Sequence, residues 1–137
     1  MKIKLDEGAY MPTRAHEADA GLDLRTPFEV IIAPHGSAVI DTGVHMEIPL
    51  GCFGKIESKS GLNVNHNIVS CGGVIDSEYT GSICVKLYNL GHMAYRFPKG
   101  AKVAQIIIQP CLSPEMVQVD KLTETERGTN GFGSTGI

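Results

Sequence analysis

Long apolar runs are missing from this 137-residue sequence. Stretches such as "VII" before Ala33 and "III" at 106–108 fall far short of the roughly 20 residues a membrane-crossing helix requires, so no membrane partner is expected. The opening "MKIKLDEGAY" has a basic start but no apolar h-region, which argues against a secretory signal; the expected location is the cytoplasm, or the host cytoplasm or nucleus if the source is viral. No C-x-x-C pair and no Cys/His ligand spacing occurs among the four cysteines (Cys52, Cys71, Cys84, Cys111) or the five scattered histidines. The expectation is four reduced, mostly buried thiols. Neither sign of charge dominates: a net charge of −3 argues against nonspecific nucleic-acid binding, and any anionic ligand must be met by local groups. There is no internal repeat and no linker. No segment keeps an i, i+3, i+4, i+7 stripe over three turns, which argues against long amphipathic helices.

What is there points to an all-β fold. With 42% hydrophobic residues the length suits one domain with a real core and no disulfide staples. The segments "FEVIIAP" (28–34), "SAVID" (37–41), "VHMEI" (44–48), "CFGKIE" (52–57), "SICVKLY" (82–88) and "KVAQIIIQP" (102–110) are short and rich in β-branched residues. Ile83, Val85 and Leu87 alternate with Cys84, Lys86 and Tyr88, the period of a half-buried strand. Turn signals fall between the segments at "APHG", "DTG", "IPLG" and "FPKG". Regular short strands with glycine-rich turns predict a sandwich, jelly roll or barrel. Composition shifts only near Asp120, so residues 1–119 are read as the β domain and 120–137 as a flexible C-terminal arm.

That arm ends on "RGTNGFGSTGI" (127–137), four glycines around one aromatic, Phe132. Ordering glycine is entropically expensive. "GFGSTG" matches G-x-G-x-x-G by letter, and "GTNGFGST" approaches a P-loop with Ser134 in place of lysine. Both fail on context, because each motif needs a strand before it and a helix after it, and here only Ile137 follows. Consecutive glycine amides, Ser134, Thr135 and Arg127 remain the ingredients of an anion-binding nest. The segment is either a disordered polar terminus or a phosphate-binding flap ordered by its ligand.

Other chemistry-bearing stretches are individually modest. In "GGVIDSEYTG" (72–81) Asp76 could simply close a turn. "ESKSGL" (57–62) sets Lys59, Ser60 and Gly61 together and reads equally as a turn. "AGLDL" (20–24) buries a carboxylate, Asp23, in an apolar strand, where it needs a partner. Gln105 inside "KVAQIII" needs one as well, and a core hydrogen bond suffices.

Their order carries more. "AGLDL", "SKSGL", "GVIDSEYTG", "KGAKVAQIII" and "RGTNGFGSTG", in that sequence from about Asp19 to Ile137, resemble the five motifs of the trimeric dUTPases. The resemblance implies a distorted jelly-roll β-barrel, a homotrimer with sites shared between subunits, and hydrolysis of dUTP to dUMP and pyrophosphate. That reaction limits uracil in DNA and supplies dUMP for thymidylate. It implies Asp76 as the general base for water attacking the α-phosphorus, and Tyr79 stacked on the deoxyribose, where a 2′-hydroxyl would collide. Ser70, Cys71, Gly72 and Gly73 in a hairpin would read uracil with main-chain groups, which glycine lets approach closely, and Phe132 would cover the base. Lys59, Ser60, Gly61 and Gln105, with Arg127, Gly133, Ser134 and Thr135 of the arm, would bind the phosphates. Mg²⁺ would be held mainly by phosphates and waters, with Asp23 as an outer support.

Two departures stand out. Lys59 and Lys102 sit where the family often has arginine, and lysine lacks the planar fork that grips two phosphate oxygens. Weaker triphosphate binding is the expected result. Two rival readings share the fold. A dCTP deaminase would carry a glutamate in the strand after "GVIDSEYTG", and "SICVKLY" has no carboxylate. A dUTPase-like module acting as a nucleotide-gated partner of other proteins would keep the same motifs.

Overall fold

Alternation decides the central strands. Ile83, Val85 and Leu87 are buried while Cys84 and Tyr88 face outward, because side chains on a pleated strand point to opposite faces. The protein's structure, a computed structural model, describes residues 1–71 and 73–131. Its elements in chain order are β1 (Ile3–Leu5), β2 (Gly21–Arg25), β3 (Val30–Ile32), β4 (Ser37–Asp41), β5 (Val44–Met46) and β6 (Cys52–Glu57). Then come α1 (Ser60–His66), β7 (Ile68–Ser70), β8 (Val74–Ile75), β9 (Cys84–Asn89), β10 (Tyr95–Phe97) and β11 (Lys102–Pro110).

The strands pair antiparallel in four small sheets: β2-β11-β6-β8, β4-β9-β7, β1-β5 and β3-β10. Their inner faces share one apolar core that includes Leu24, Ile32, Ile40, Ile68, Phe97 and Ile106. This is the all-β class expected from the short strands and turn spacing, and it is consistent with the jelly roll that the family resemblance implies. Strands β4, β6 and β11 have the bounds that their β-branched runs predict. No helix among the described residues is long and apolar enough to cross a membrane.

Three features differ from the sequence reading. The "SGL" of the second motif opens a short helix, α1, rather than a turn. None of its residues is buried, so it has no apolar stripe to reveal it, and it stops where Asn67 takes the left-handed conformation (φ 55°), a role Asn tolerates. The flanking strands β7 and β8, expected to bound a hairpin at 70–73, do not pair with each other: β7 pairs with β9 and β8 with β6. The cysteines are free but not buried. Cys71 and Cys84 are exposed, Cys52 and Cys111 partly so, because the first two lie on the linking segment and on the outward face of β9.

Residues 112–130 beyond β11 are exposed throughout. One cluster of hydrogen bonds at the edge of the core centres on Asn89, which is 1% exposed. The two hydrogens of its Nδ2 are shared among the carbonyls of Ile32 (3.1 Å), Ala33 (3.2 Å) and Met93 (2.8 Å), and its Oδ1 accepts from the Gly91 amide at 2.9 Å. One side chain thus satisfies the turns after β3 and β9. Asn89→Ala strands buried backbone groups, each of which costs about 1–3 kcal/mol when unpaired. The expected loss is about 2–4 kcal/mol, measured as a lower urea midpoint with an unchanged m-value.

Candidate active site

A carboxylate in the middle of a buried strand is tolerated only with partners. Asp23, 4% exposed on β2, has two. Its Oδ1 accepts from Lys59 Nζ at 2.5 Å and its Oδ2 pairs with Lys102 Nζ at 2.5 Å. Lys59 directly precedes α1 with extended backbone (φ −78°, ψ 129°), which aims its side chain back at β2. Lys102 starts β11, where a register shift between Lys102 and Ala104 turns its stem toward the same carboxylate. Burial works to raise the Asp23 pKa, but hydrogen bonds and charge from Lys102 and Lys59 outweigh it and hold the carboxyl below its usual range. One carboxylate between two ammonium groups leaves a net positive charge, and the two lysine side chains are 27% and 37% exposed.

The cluster extends along the sheet. Gln105 lies opposite Asp23 on one side and Glu57 on the other, and its Nε2 donates to the Ser58 carbonyl at 3.1 Å. The Ser58 hydroxyl accepts from the Ser70 amide at 2.8 Å and meets the Ser70 hydroxyl at 3.1 Å. Two bonded groups result: Asp23 with Lys59 and Lys102, and Gln105 with Ser58 and Ser70; they adjoin where Gln105 lies opposite Asp23 and where Ser58 precedes Lys59. Ser58 was legible only as a neighbour of Lys59 and Ser60, because its role depends on a cross-sheet bond. Ser60 and Gly61 open α1 on the exterior.

The segment after Ser70 runs beside an open groove of about 350 Å³ lined by Lys55, Ile56, Glu57, Ser70, Cys71 and Gly73, with Val74. Gly73 has φ +113°, and a Cβ there would lie 2.7 Å from the Ile56 Cβ, so only glycine fits.

Asp76 and Tyr79 sit elsewhere, in a recess of about 180 Å³ with Val74, Ile75, Ser82 and Cys84. The Tyr79 amide donates to the Asp76 carbonyl at 3.1 Å, so Asp76 does begin a turn as well as face the recess. The Tyr79 hydroxyl donates to the Ser82 carbonyl at 2.9 Å. Its ring lies over Gly81, where a Cβ would come within 2.4 Å of the hydroxyl oxygen. The side chain is thus folded back with a ring face left open, Tyr79 being 45% exposed. No residue of the Asp23–Lys59–Lys102 cluster lines this recess.

Arg127 is exposed, its Nε donating to the Asn130 carbonyl at 3.0 Å in a local turn. Gly72, Phe132, Gly133, Ser134 and Thr135 lie outside the described residues. Among the described residues there is no group of three or more His, Cys, Asp or Glu side chains that could hold a metal, and both Asp23 oxygens already face lysines.

Acid titration probes the ion cluster. The folded Asp23 carboxyl lies below its ordinary 3.8, so its contribution to stability is full above that value and lost as the pH falls through the folded pKa. Asp23→Asn is expected to lower stability at neutral pH and to flatten the decline on acidification, measured by urea unfolding at intervals from pH 7 down to about pH 3.

Comparison with known proteins identifies the family. The dUTPase family model matches residues 7–136. A deoxyuridine 5′-triphosphate nucleotidohydrolase of Clostridium novyi is 40% identical over 136 residues, covering 98% of this chain and 96% of the relative. The solved dUTPase of Staphylococcus bacteriophage 80alpha with dUPNHPP superposes with a TM-score of 0.90 at 33% identity, covering 99% of this chain and 98% of that one. A variant dUTPase of phage phi11 of S. aureus, solved to describe coordination of a structural Mg(II) ion, superposes at 0.81 with 29% identity, covering 88% and 96%. With its five motifs in order and the match running nearly end to end, the chain belongs to the dUTPase family.

Proposed function

We infer that this protein hydrolyses dUTP to dUMP and pyrophosphate, and the observation that carries the reading is the recess holding Asp76 beside Tyr79. The Asp76 carboxylate accepts a hydrogen bond from water and takes its proton as the oxygen attacks the α-phosphorus; pyrophosphate leaves. The open ring face of Tyr79 packs on the deoxyribose. A 2′-hydroxyl would press on a ring fixed by its bond to Ser82 and by contact with Gly81, so UTP is refused by shape. Ser70, Cys71, Gly72 and Gly73 present backbone groups to uracil, and Phe132 covers it. The deaminase alternative lacks its acid–base group, since β9 reads CVKLYN.

The positive cluster supplies the phosphate site: Lys59, Lys102, Gln105, Ser60 and Gly61, with Arg127, Gly133, Ser134 and Thr135 from the 120–137 arm. Mg²⁺ would be held here chiefly by the phosphate oxygens and water rather than by side chains, and would supply charge compensation on those oxygens. Asp23 supports this from outside, since its oxygens are engaged by Lys59 and Lys102. Two separate half-sites in one chain favour a homotrimer in which neighbouring subunits bring them together. Exposed apolar residues such as Val39, Val74, Leu112, Met116 and Leu122 offer surface for that contact. Free thiols suit the cytoplasm.

Pyrophosphate release from dUTP, dCTP, dTTP and UTP, assayed side by side, tests the substrate. Turnover of dUTP alone is expected; equal rates on UTP would remove the sugar gate. Asp76→Asn is expected to lower kcat by at least about a hundredfold with dUTP still bound, and near-normal turnover would take the base role from Asp76. Deleting residues 126–137 is expected to leave folding and assembly intact and to abolish most activity. Co-refolding the truncated chain with full-length Asp76→Asn chains then restores some turnover, because intact halves meet across subunits. Verified mixed oligomers without activity would rule out a shared site.

A further inference from the structure

The loop carrying Asp76 and Tyr79 is held on its outer edge by a histidine that no motif includes. His45 stands in the middle of β5, opposite Lys4 of β1. Its Nε2 faces Asp6 Oδ2 at 3.0 Å and its Nδ1 faces the carbonyl oxygen of Thr80 at 2.8 Å. Both partners are acceptors. A neutral imidazole has one N–H and can satisfy only one of them; the imidazolium donates to both.

The two contacts differ in what they anchor. Asp6 belongs to the body: its amide bonds to the Gly43 carbonyl at 2.9 Å, just after β1. Thr80 belongs to the loop and follows Tyr79 directly. The Nε2 proton is held by a carboxylate, the stronger charge-assisted bond, so Nδ1 is the nitrogen that loses its proton. Its lone pair then faces the Thr80 oxygen and the contact turns repulsive.

We propose that His45 is a positioning residue for the sugar-discriminating loop, a clasp that holds Thr80, and through it Tyr79, while the imidazole is protonated and releases it when the proton leaves. This rests on the dUTPase reading for its effect on substrates but not for the clasp itself. Among the charged groups around the ring, Asp6 favours the protonated, closed form and Lys4 opposes it. Asp6 is in contact, with Lys4 on the same carboxylate at 3.6 Å; Asp41, at the end of β4, is bound by the Ser82 hydroxyl and the Gly43 amide. Lys2 and Glu47 pair with each other at 3.0 Å and line, with Lys4, His45 and Thr80, an open groove of about 330 Å³. That groove gives water a path to the ring. The hydrogen bond to Asp6, then that to Thr80, raises the His45 pKa above its ordinary 6.5. The clasp's contribution is therefore full below 6.5 and lost as the pH rises through the higher folded value.

The ratio of kcat/KM for dUTP to that for UTP isolates this effect, because proton equilibria in the shared triphosphate and in the chemical step affect both nucleotides alike. The ratio is expected to fall by about tenfold between pH 6 and pH 9, the size of one lost charge-assisted bond. In His45→Gln it stays flat with pH, and in Asp6→Asn the midpoint moves to lower pH. The same profile in all three proteins would overturn the proposal. NMR of the nucleotide-free chain gives a readout independent of activity. The His45 ring is expected to titrate above 6.5, with the amide shifts of residues 79–82 following the same midpoint, and Asp6→Asn to lower it. A ring that titrates without moving those amides would sink the clasp, even if dUTP turnover is normal. Absence of turnover beside a matching NMR titration would instead count against the dUTPase reading alone.

Discussion

Strand β11 lies between β2 and β6, and its register is the constraint on which the site depends. In that register Gln105 falls opposite Asp23 on one neighbour and Glu57 on the other, while Val103, Ala104 and Ile106 are fully buried. A slip of one residue would exchange the two faces, sending Gln105 toward the core and Ile106 toward water. Burial of the aliphatic residues therefore fixes where the polar ones go. The irregularity between Lys102 and Ala104 then releases Lys102 from strict alternation and lets its ammonium reach Asp23, as a bulge re-aims a side chain. Three sequence-distant motifs meet because one hydrophobic strand can be paired in only one way.

Much of this is legible in the chain itself. A carboxylate in "AGLDL" and an amide in "KVAQIII" each announce a missing partner, and the structure supplies lysines for the first and the Ser58 carbonyl for the second. Which group would answer could not be read, because the partners come from other strands. Strands of two or three residues, such as β1, β7, β8 and β10, are too short for a period to register. Helix α1 buries nothing and so leaves no stripe. Asn89 looks like any polar strand end, and only its burial against three carbonyls shows its weight. The general rule that cysteine is buried fails here because Cys71 and Cys84 occupy a link and an outward strand face. The ordered motifs carried the family assignment more surely than any local pattern did.

The ion cluster and the recess are built by different means. Asp23 is fixed by two short ion pairs inside a sheet, and removing either lysine would leave a buried charge poorly compensated, which is costly. That half is rigid because its alternatives are unfavourable. Lysine, unlike arginine, also presents a single point charge, so Lys59 and Lys102 can share one carboxylate while their exposed sides remain attractive to an anion.

The recess is held more lightly. Residues 76–82 include no buried side chain, and the first buried residue after them is Ile83. What fixes the loop is a set of polar ties: Ser82 to Asp41, Thr42 to the Ile83 carbonyl, Tyr79 to the Ser82 carbonyl and His45 to the Thr80 carbonyl. Each is worth about 1 kcal/mol, or more where a charge is involved, against a global stability of about 5–15 kcal/mol. Losing one such tie can shift the loop's population without unfolding the core. In the proposed role the segment admits a nucleotide, closes on it and rejects a single extra hydroxyl, which calls for that intermediate strength. The core sets where the loop begins and ends, and hydrogen bonds of modest size set how firmly Tyr79 stands in between.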